Sequence, residues 1–162
     1  MQYNEARPSI KSGDLLAWSH RSWRTWKDIK IQIVRFFTQS EYAHTGTAWV
    51  VGERVFVIEA VIPVVRIYPL SKLGDFYHIP LNVVWSKRAE AFALKEVGVP
   101  YSEWEAIISF FAIQGSEDTY ECAELCAKIA AIDKVNLGLK YTPSAVVEAA
   151  LKQGSSITLI TQ

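Results

Sequence analysis

The amino-acid sequence predicts a single α+β domain, with strands mainly in its first half and helices mainly in its second. Extended runs rich in Val, Ile and aromatic residues fill most of the first half, whereas helical periodicity dominates the second half. No internal repeat, low-complexity segment or linker interrupts the chain. Its 162 residues are enough for one substantial core, so we expect one domain over residues 1–162.

Five strands are predicted in the first half, because these runs combine β-branched and aromatic residues with turn residues at their ends. The strands are expected at 15–18, 44–51, 55–62, 64–69 and 76–81. Gly13-Asp14 forms the turn before the first of them. The last run contains Pro80, which cannot donate to a β-ladder, so we expect an edge or bent strand there.

A helix is predicted over 23–37, between the first two strands, because apolar residues recur there with three-to-four spacing. Its other side carries basic residues, and a basic, tryptophan-rich amphipathic helix can lie on a membrane surface. A helix that packs on the core and exposes its charged side to water explains the same pattern. This second interpretation is the favoured one.

The second half of the chain predicts four helices and a closing strand. The helices are expected at 86–97, at 102–111, around Cys122 and at 143–151, and the strand at 156–161. A residue that can cap a helix stands at each expected start, where its side-chain oxygen can accept from a first-turn amide. These residues are Ser86, Ser102, Asp118 or Thr119, and Thr142. Gly98 is expected to end the first helix.

Charge and composition limit the expected partners and location. Seventeen basic and seventeen acidic residues give a formal net charge of zero, which offers no electrostatic basis for binding nucleic acid. The N-terminal residues lack a basic start followed by an apolar stretch, and no run is long enough to span a bilayer. A cytoplasmic protein is therefore expected.

Three reactive side chains stand where packing alone would not place them: His44, Glu59 and Cys122. His44 opens an extended run, Glu59 interrupts an apolar one, and Cys122 lies near a predicted helix start. Together they supply a thiol nucleophile, an imidazole base and a carboxylate that orients the base. Each also has an ordinary interpretation: a core cysteine, a hydrogen-bonded strand-end histidine and an edge-strand glutamate that faces water.

The spacing of His44 and Glu59 permits a direct contact. If Gly52-Glu53 forms a two-residue hairpin loop, Gly46 lies opposite Glu59 and His44 lies opposite Val61. His44 and Glu59 then share one face of the sheet, with Gly46 leaving open space between them. A four-residue loop preserves this arrangement, whereas a three-residue loop places the two side chains on opposite faces.

The two cysteines, Cys122 and Cys126, are separated by one helical turn. Helical i and i+4 positions suit a disulfide poorly, so free thiols are expected. Two cysteines without matching histidine spacing are also too few for a structural zinc site, and no cofactor is predicted. Cys122 lies in the first helical turn, where unpaired amides and the helix dipole favour a thiolate, whereas Cys126 continues the apolar packing face.

Several short motifs carry a resemblance to a known family. They are Ser12-Gly-Asp-Leu-Leu-Ala17, Tyr42-Ala-His-Thr-Gly46, Ile58-Glu-Ala60 and Cys122-Ala-Glu-Leu125. In this order they resemble the circularly permuted NlpC/P60 domains of the papain-like superfamily, which include YiiX/YaeF-type amidases and, more distantly, lecithin retinol acyltransferase-like proteins. Papain-like enzymes usually present the cysteine first, and the permutation places the histidine strand before the cysteine helix, as here.

The resemblance implies a small sheet or barrel packed on helices, with Cys122 as nucleophile, His44 as base and Glu59 as the residue that orients the base. This chain departs from the family pattern at Ala123, where relatives often carry serine. That position is not one of the three reactive residues, so the departure bears on local polarity. The backbone N–H of Cys122, at the helix start, is placed to donate to an oxyanion.

Three functions fit these residues. The leading prediction is a thiol amidase or peptidase that uses a covalent acyl-enzyme to cleave a small peptide or amide, such as a cell-wall-type peptide or an amide-linked lipid. Lipid acyl transfer is the second, and a binding module that keeps the scaffold without chemistry is the third. The complete set of cysteine, histidine and glutamate favours an enzyme, since a module without chemistry has no need of all three.

Overall fold

A computed structural model of the protein describes residues 1–19, 41–100 and 121–162. The strands are β1 (Leu15–Ser19), β2 (Tyr42–Val51), β3 (Arg54–Val61), β4 (Val64–Pro69), β5 (Phe76–Ile79) and β6 (Thr158–Ile160). The α-helices in these ranges are α1 (Tyr3–Ala6), α2 (Lys87–Lys95), α3 (Cys122–Ile132) and α4 (Pro143–Lys152). The helices predicted at 23–37 and 102–111 lie outside the described residues.

The six strands form one open antiparallel sheet in the order β4-β3-β2-β1-β5-β6. With the helices, this arrangement confirms the predicted α+β class. No helix in the described ranges is long and apolar enough to cross a bilayer.

The hairpin between β2 and β3 has the predicted two-residue loop. Val51 pairs with Arg54, and the ladder continues in the same register to Thr47 and Ile58. Gly52 has a φ of +58°, a backbone conformation that glycine adopts without steric cost. This register fixes which side chains of β2 and β3 share a face.

The predicted edge position of β5 is wrong. β5 pairs with β1 on one side and with β6 on the other, so it lies inside the sheet. Pro80 creates no conflict because the strand ends at Ile79, one residue before it. The closing strand, β6, was expected from 156 and begins two residues later.

Two of the predicted helix caps are present. The Ser86 hydroxyl accepts from the amide of Ala89 at 3.1 Å, and the Thr142 hydroxyl accepts from the amide of Ala145 at 3.3 Å. The cap expected for the cysteine helix at Asp118 or Thr119 is wrong, because α3 begins at Cys122 with an extended Glu121 in the N-cap position. Residues 118 and 119 themselves lie outside the described ranges.

The sheet has apolar contacts on both faces. On the α3 face, Ile58 and Ala60 pack against Leu125 and Ile129 of α3. On the α1 face, Trp18 and its neighbours pack against Tyr3 and Ala6 of α1. Because both faces are covered, alternate side chains of β2 and β3 are buried on opposite sides of the sheet.

A bulge interrupts the β1–β2 ladder beside His44. Trp18 pairs with His44, but Ser19 pairs with Tyr42, so Ala43 is an extra residue on β2. As the cross-strand partner of Trp18, His44 projects from the α1 face, and the two rings lie 5.4 Å apart. A bulge bends its strand and redirects side chains, which is why bulges often occur next to functional sites.

Candidate active site

His44 and Glu59 are in direct contact, which the spacing in the sequence permits. His44 Nε2 lies 2.7 Å from Glu59 Oε2, and both side chains are buried, with Glu59 only 1% exposed. A carboxylate in such a position requires a partner, since burying an isolated charge is costly. The water-facing edge position that would have explained Glu59 without chemistry is thereby excluded.

The open space predicted at Gly46 is absent. A Cβ built at this glycine would clash with Cγ2 of Val57 and would lie 3.4 Å from Cβ of Glu59. Gly46 therefore allows β2 and β3 to approach closely at the point where His44 meets Glu59.

Arg66 holds the other oxygen of the Glu59 carboxylate. Its Nε donates to Glu59 Oε1 at 2.9 Å, and its Nη2 lies 2.7 Å from the same oxygen. The two residues are direct cross-strand partners on β3 and β4. Sequence reasoning missed Arg66, although a two-residue loop after Val61, treated like the first hairpin loop, places Arg66 opposite Glu59.

Cys122 completes a hydrogen-bonded chain. Its side chain forms a hydrogen bond with His44. Since Nε2 of His44 faces Glu59, Nδ1 is the ring nitrogen left for the thiol. The three residues proposed from the sequence are thus brought together, in the order thiol, imidazole, carboxylate.

Cys122, His44 and Glu59 stabilise each other's charged forms. Burial lowers the pKa of His44, but the hydrogen bonds and negative charges of Cys122 and Glu59 outweigh it and raise this pKa to about 10. Burial raises the pKa of Cys122 and of Glu59, yet the contacts with His44 bring both below their ordinary values, with Arg66 contributing at Glu59. These contacts therefore favour the thiolate form of Cys122 and the imidazolium form of His44.

Cys126 has the opposite character. Burial raises the pKa of its thiol to about 12, and a hydrogen bond with Thr47 offsets only part of that increase. Neither Cys126 nor Cys122 is in a disulfide, which confirms the expected free thiols. Cys126 remains a neutral packing residue, and Cys122 is the only one of the two cysteines with an activating partner.

Thr45 is the second residue that sequence reasoning missed. It is fully buried, its backbone amide donates to Cys122, and its side chain lowers the pKa of both thiols. Within the described part of the chain, no acceptor or donor meets full hydrogen-bond geometry with the Thr45 hydroxyl. Strand alternation turns the side chains of Thr45 and His44 to opposite faces, but the contact of Thr45 with the thiols depends on how α3 packs against β2.

Replacing Thr45 by valine should raise the pKa of Cys122. The change keeps the side-chain shape but removes a hydroxyl that lowers the pKa of Cys122, and the shift should be smaller than the roughly one to two pKa units of a full hydrogen bond to a charged group. The pH dependence of Cys122 alkylation measures this pKa. Thr47→Val is the matched control because its side chain contacts Cys126. An unchanged Cys122 pKa in Thr45→Val would show that the backbone amide alone stabilises the thiolate.

His78 lies outside the hydrogen-bonded series of Cys122, His44 and Glu59, but it has a partner of its own. Its Nε2 is 2.7 Å from Asp14 Oδ2, and both residues are buried. Asp14 also accepts from the amide of Lys11 at 2.8 Å, so the pair ties the turn before β1 to β5. His78 therefore has a structural position in the sheet, held by the carboxylate of Asp14.

The fold and the site define an α+β domain with a buried cysteine–histidine–glutamate chain at the start of a helix. No protein-family profile matches the sequence, and no curated protein matches it. A solved structure does match: metalloprotein YiiX from Escherichia coli O157:H7, with a TM-score of 0.58 and 22% identity. The similarity covers 88% of this chain and 81% of YiiX, and at this identity it shows a shared fold.

The description of YiiX as a metalloprotein raises the question of whether Cys122, His44 and Glu59 fit a metal. Metal sites need donors that converge on one point. Cys122 and Glu59 are bound to different nitrogens of the His44 ring, so the three side chains form a line. Across the ranges that the structure describes, no group of three His, Cys, Asp or Glu side chains is arranged to hold a metal ion. These residues do not fit a metal site.

Proposed function

We propose that this protein is a thiol hydrolase, an amidase or peptidase of the permuted NlpC/P60 type, with Cys122, His44 and Glu59 as its catalytic residues. The observation that carries the proposal is the continuous hydrogen-bonded chain from the Cys122 thiol through His44 to Glu59. Its electrostatics favour an ionised thiol, which is the nucleophilic form of cysteine. The shared fold with YiiX is consistent with this assignment.

In the acylation half of the proposed reaction, the Cys122 thiolate attacks the carbonyl carbon of an amide, and a C–S bond forms while the carbonyl oxygen becomes an oxyanion. The N–H of Cys122 lies in the first turn of α3, where no helical carbonyl accepts from it, so it can donate to the oxyanion. The His44 imidazolium transfers its proton to the leaving nitrogen. The C–N bond then breaks, the amine departs, and a thioester remains on Cys122.

In the deacylation half, water attacks the thioester carbonyl while the neutral His44 takes a proton from that water at Nδ1. Collapse of the tetrahedral intermediate breaks the C–S bond and releases the carboxylic acid, which restores the thiolate and the imidazolium. Glu59 accepts from Nε2–H of His44 throughout and so keeps the imidazole in the required tautomer.

The first test compares the two cysteines. Cys122 should react with iodoacetamide at neutral pH at least about 100-fold faster than Cys126, because the thiolate fraction of the two differs far more than their intrinsic nucleophilicity. Peptide mapping by mass spectrometry assigns the modified residue. Cys126→Ser should keep the fast reaction and Cys122→Ser should lose it. Equal rates at both thiols, or a fast rate unchanged by His44→Ala, would overturn the proposal.

The second test separates hydrolysis from acyl transfer. An activated ester, 4-nitrophenyl acetate, should acetylate Cys122, and intact-mass spectrometry follows the loss of the acetyl group. A hydrolase returns to free enzyme in water alone. If the acetyl group persists until a lipid amine or alcohol is added, the protein is an acyltransferase instead.

A further inference from the structure

We propose that Arg66 is a positioning residue that keeps Glu59 a carboxylate, and His44 in its active tautomer, through both halves of the reaction. This inference rests on the proposed function. The geometry divides the Glu59 carboxylate between two partners: His44 binds Oε2, and Arg66 binds Oε1 through two nitrogens. The contact with Arg66 therefore does not depend on the state of the imidazole.

The need for Arg66 arises when His44 has lost its proton. In the free enzyme the imidazolium neutralises Glu59. In the thioester intermediate His44 is neutral, and Glu59, only 1% exposed, would then be a buried carboxylate without an opposite charge. Among the residues that the structure describes, Arg66 is the other cation in contact with this carboxylate.

A protonated Glu59 would stop deacylation through the tautomer of His44. A carboxylic acid would donate its proton towards Nε2, and the ring proton would then reside on Nδ1. Nδ1 is the nitrogen that faces Cys122, so His44 would have no lone pair there to accept a proton from water. With Glu59 ionised, Nε2–H donates to Oε2, and Nδ1 carries the lone pair with which His44 acts as the base.

The surroundings of Arg66 suit this role. Its guanidinium is held by the cross-strand pairing with Glu59 and lies over the Tyr68 ring, 4.6 Å from the ring centroid. Its side chain is 39% exposed, so the charge is partly hydrated while its inner nitrogens remain on the buried oxygen. This exposure also makes the position accessible to a small cation from solution, which provides a direct test.

The test measures the two half-reactions separately with 4-nitrophenyl acetate. The nitrophenolate burst gives the acetylation rate of Cys122, and intact-mass spectrometry gives the rate of acetyl loss. Arg66→Gln should slow deacylation by about 10-fold or more near neutral pH and change acylation by less than about 3-fold. The acidic limb of the deacylation pH profile should move to higher pH. Arg66→Lys should restore part of the loss, since it keeps the charge but not the two-nitrogen contact.

Added guanidinium ion, at concentrations well below those that unfold proteins, should accelerate deacylation in Arg66→Ala and leave the wild type unchanged. Arg54→Gln is the matched control: Arg54 also lies on the sheet but at the hairpin end of β3, opposite Val51. It should leave both half-reactions at the wild-type rate.

The outcomes distinguish the two proposals. If the wild type does not form an acetyl-enzyme at Cys122, the proposed function fails and the role of Arg66 fails with it. If the wild type reacts but Arg66→Gln slows both half-reactions equally with an unmoved pH profile, and guanidinium gives no rescue, Arg66 only stabilises the fold. If Arg66→Gln folds poorly, the guanidinium rescue of Arg66→Ala and the rates of Arg66→Lys still test the role of Arg66.

Discussion

Replacing His44 by alanine is expected to lower the rate of acyl-enzyme formation at Cys122 by about 10⁴-fold, the usual scale for loss of one member of a catalytic triad. The substitution removes three things at once: the hydrogen bond to the thiol, the positive charge that stabilises the thiolate, and the proton donor for the leaving group. Burial then acts on Cys122 without compensation and raises its pKa.

The pH profile of alkylation reports the same change. In the wild type, Cys122 reactivity should rise below the ordinary thiol pKa of 9.0, through the depressed pKa of Cys122, and stay nearly constant until His44 loses its proton near a pH of about 10. In His44→Ala, one rise at higher pH should replace this plateau. Rates measured with iodoacetamide over the pH range test both statements.

His78→Ala is the matched control, because His78 is also buried and also bound to a carboxylate, but lies outside the proposed catalytic chain. It should lower the thermal stability and leave the acylation rate within a few-fold of the wild type. A comparable loss of acylation in both variants would mean that His44 acts through the stability of the sheet, which contradicts the proposed base.

Replacing Glu59 by glutamine is expected to lower the acylation rate by about 10²- to 10⁴-fold and the free energy of unfolding by about 3 kcal/mol. The amide cannot supply the charge that both His44 and Arg66 contact. This loss lies at the lower end of the range for a broken buried ion pair, because the Arg66 side chain is 39% exposed and can turn towards water. Kinetics with 4-nitrophenyl acetate and urea unfolding measure the two effects.

The stability cost of Glu59→Gln should depend on pH in a defined direction. The depressed pKa of Glu59 contributes stability that is present above its ordinary value of 4.5 and is lost as the pH falls through the depressed pKa. The raised pKa of His44 contributes stability that is full below 6.5 and is lost as the pH rises through about 10. The cost should therefore be largest between 4.5 and 6.5 and smaller on either side.

Glu90→Gln provides the control for the loss of a carboxylate. Glu90 accepts from the indole N–H of Trp49 at 2.8 Å, a bond that glutamine can still accept. The unfolding free energy should change by less than about 1 kcal/mol. If Glu59→Gln lowered the free energy of unfolding no more than Glu90→Gln, the contact of Glu59 with His44 would be an ordinary hydrogen bond and not a buried charge pair.

Several features of the fold could be predicted because they depend on neighbouring residues. The apolar runs predicted β2 and β3, and the observed register is the one expected for a two-residue loop at Gly52-Glu53. The hydroxyls of Ser86 and Thr142 marked the starts of two helices for the same reason, since a cap acts within one helical turn. A two-residue loop also sets the cross-strand pairing of Glu59 with Arg66, so this pair could have been predicted from the sequence.

Other features depend on contacts between distant segments. The bulge at Ala43 and the inward position of β5 arise from how β1 pairs with strands on both of its sides, which no local pattern specifies. The pairing of His78 with Asp14 joins two strands that are far apart in the sequence. The role of Thr45 likewise becomes visible only after α3 has packed against β2.

The sequence by itself reduced the question of whether His44 and Glu59 share a face to the length of one hairpin loop, because strand alternation and loop length decide which side chains meet there. Only the tertiary structure decided that Cys122 would reach His44. His44 projects from the α1 face, whereas α3 docks through Leu125 and Ile129 on the α3 face, so the contact depends on where this docking places the start of α3. The ionised states of Cys122 and His44 likewise depend on the tertiary structure. The pKa values of its members are set by burial and by neighbouring charges that exist only once the chain has folded.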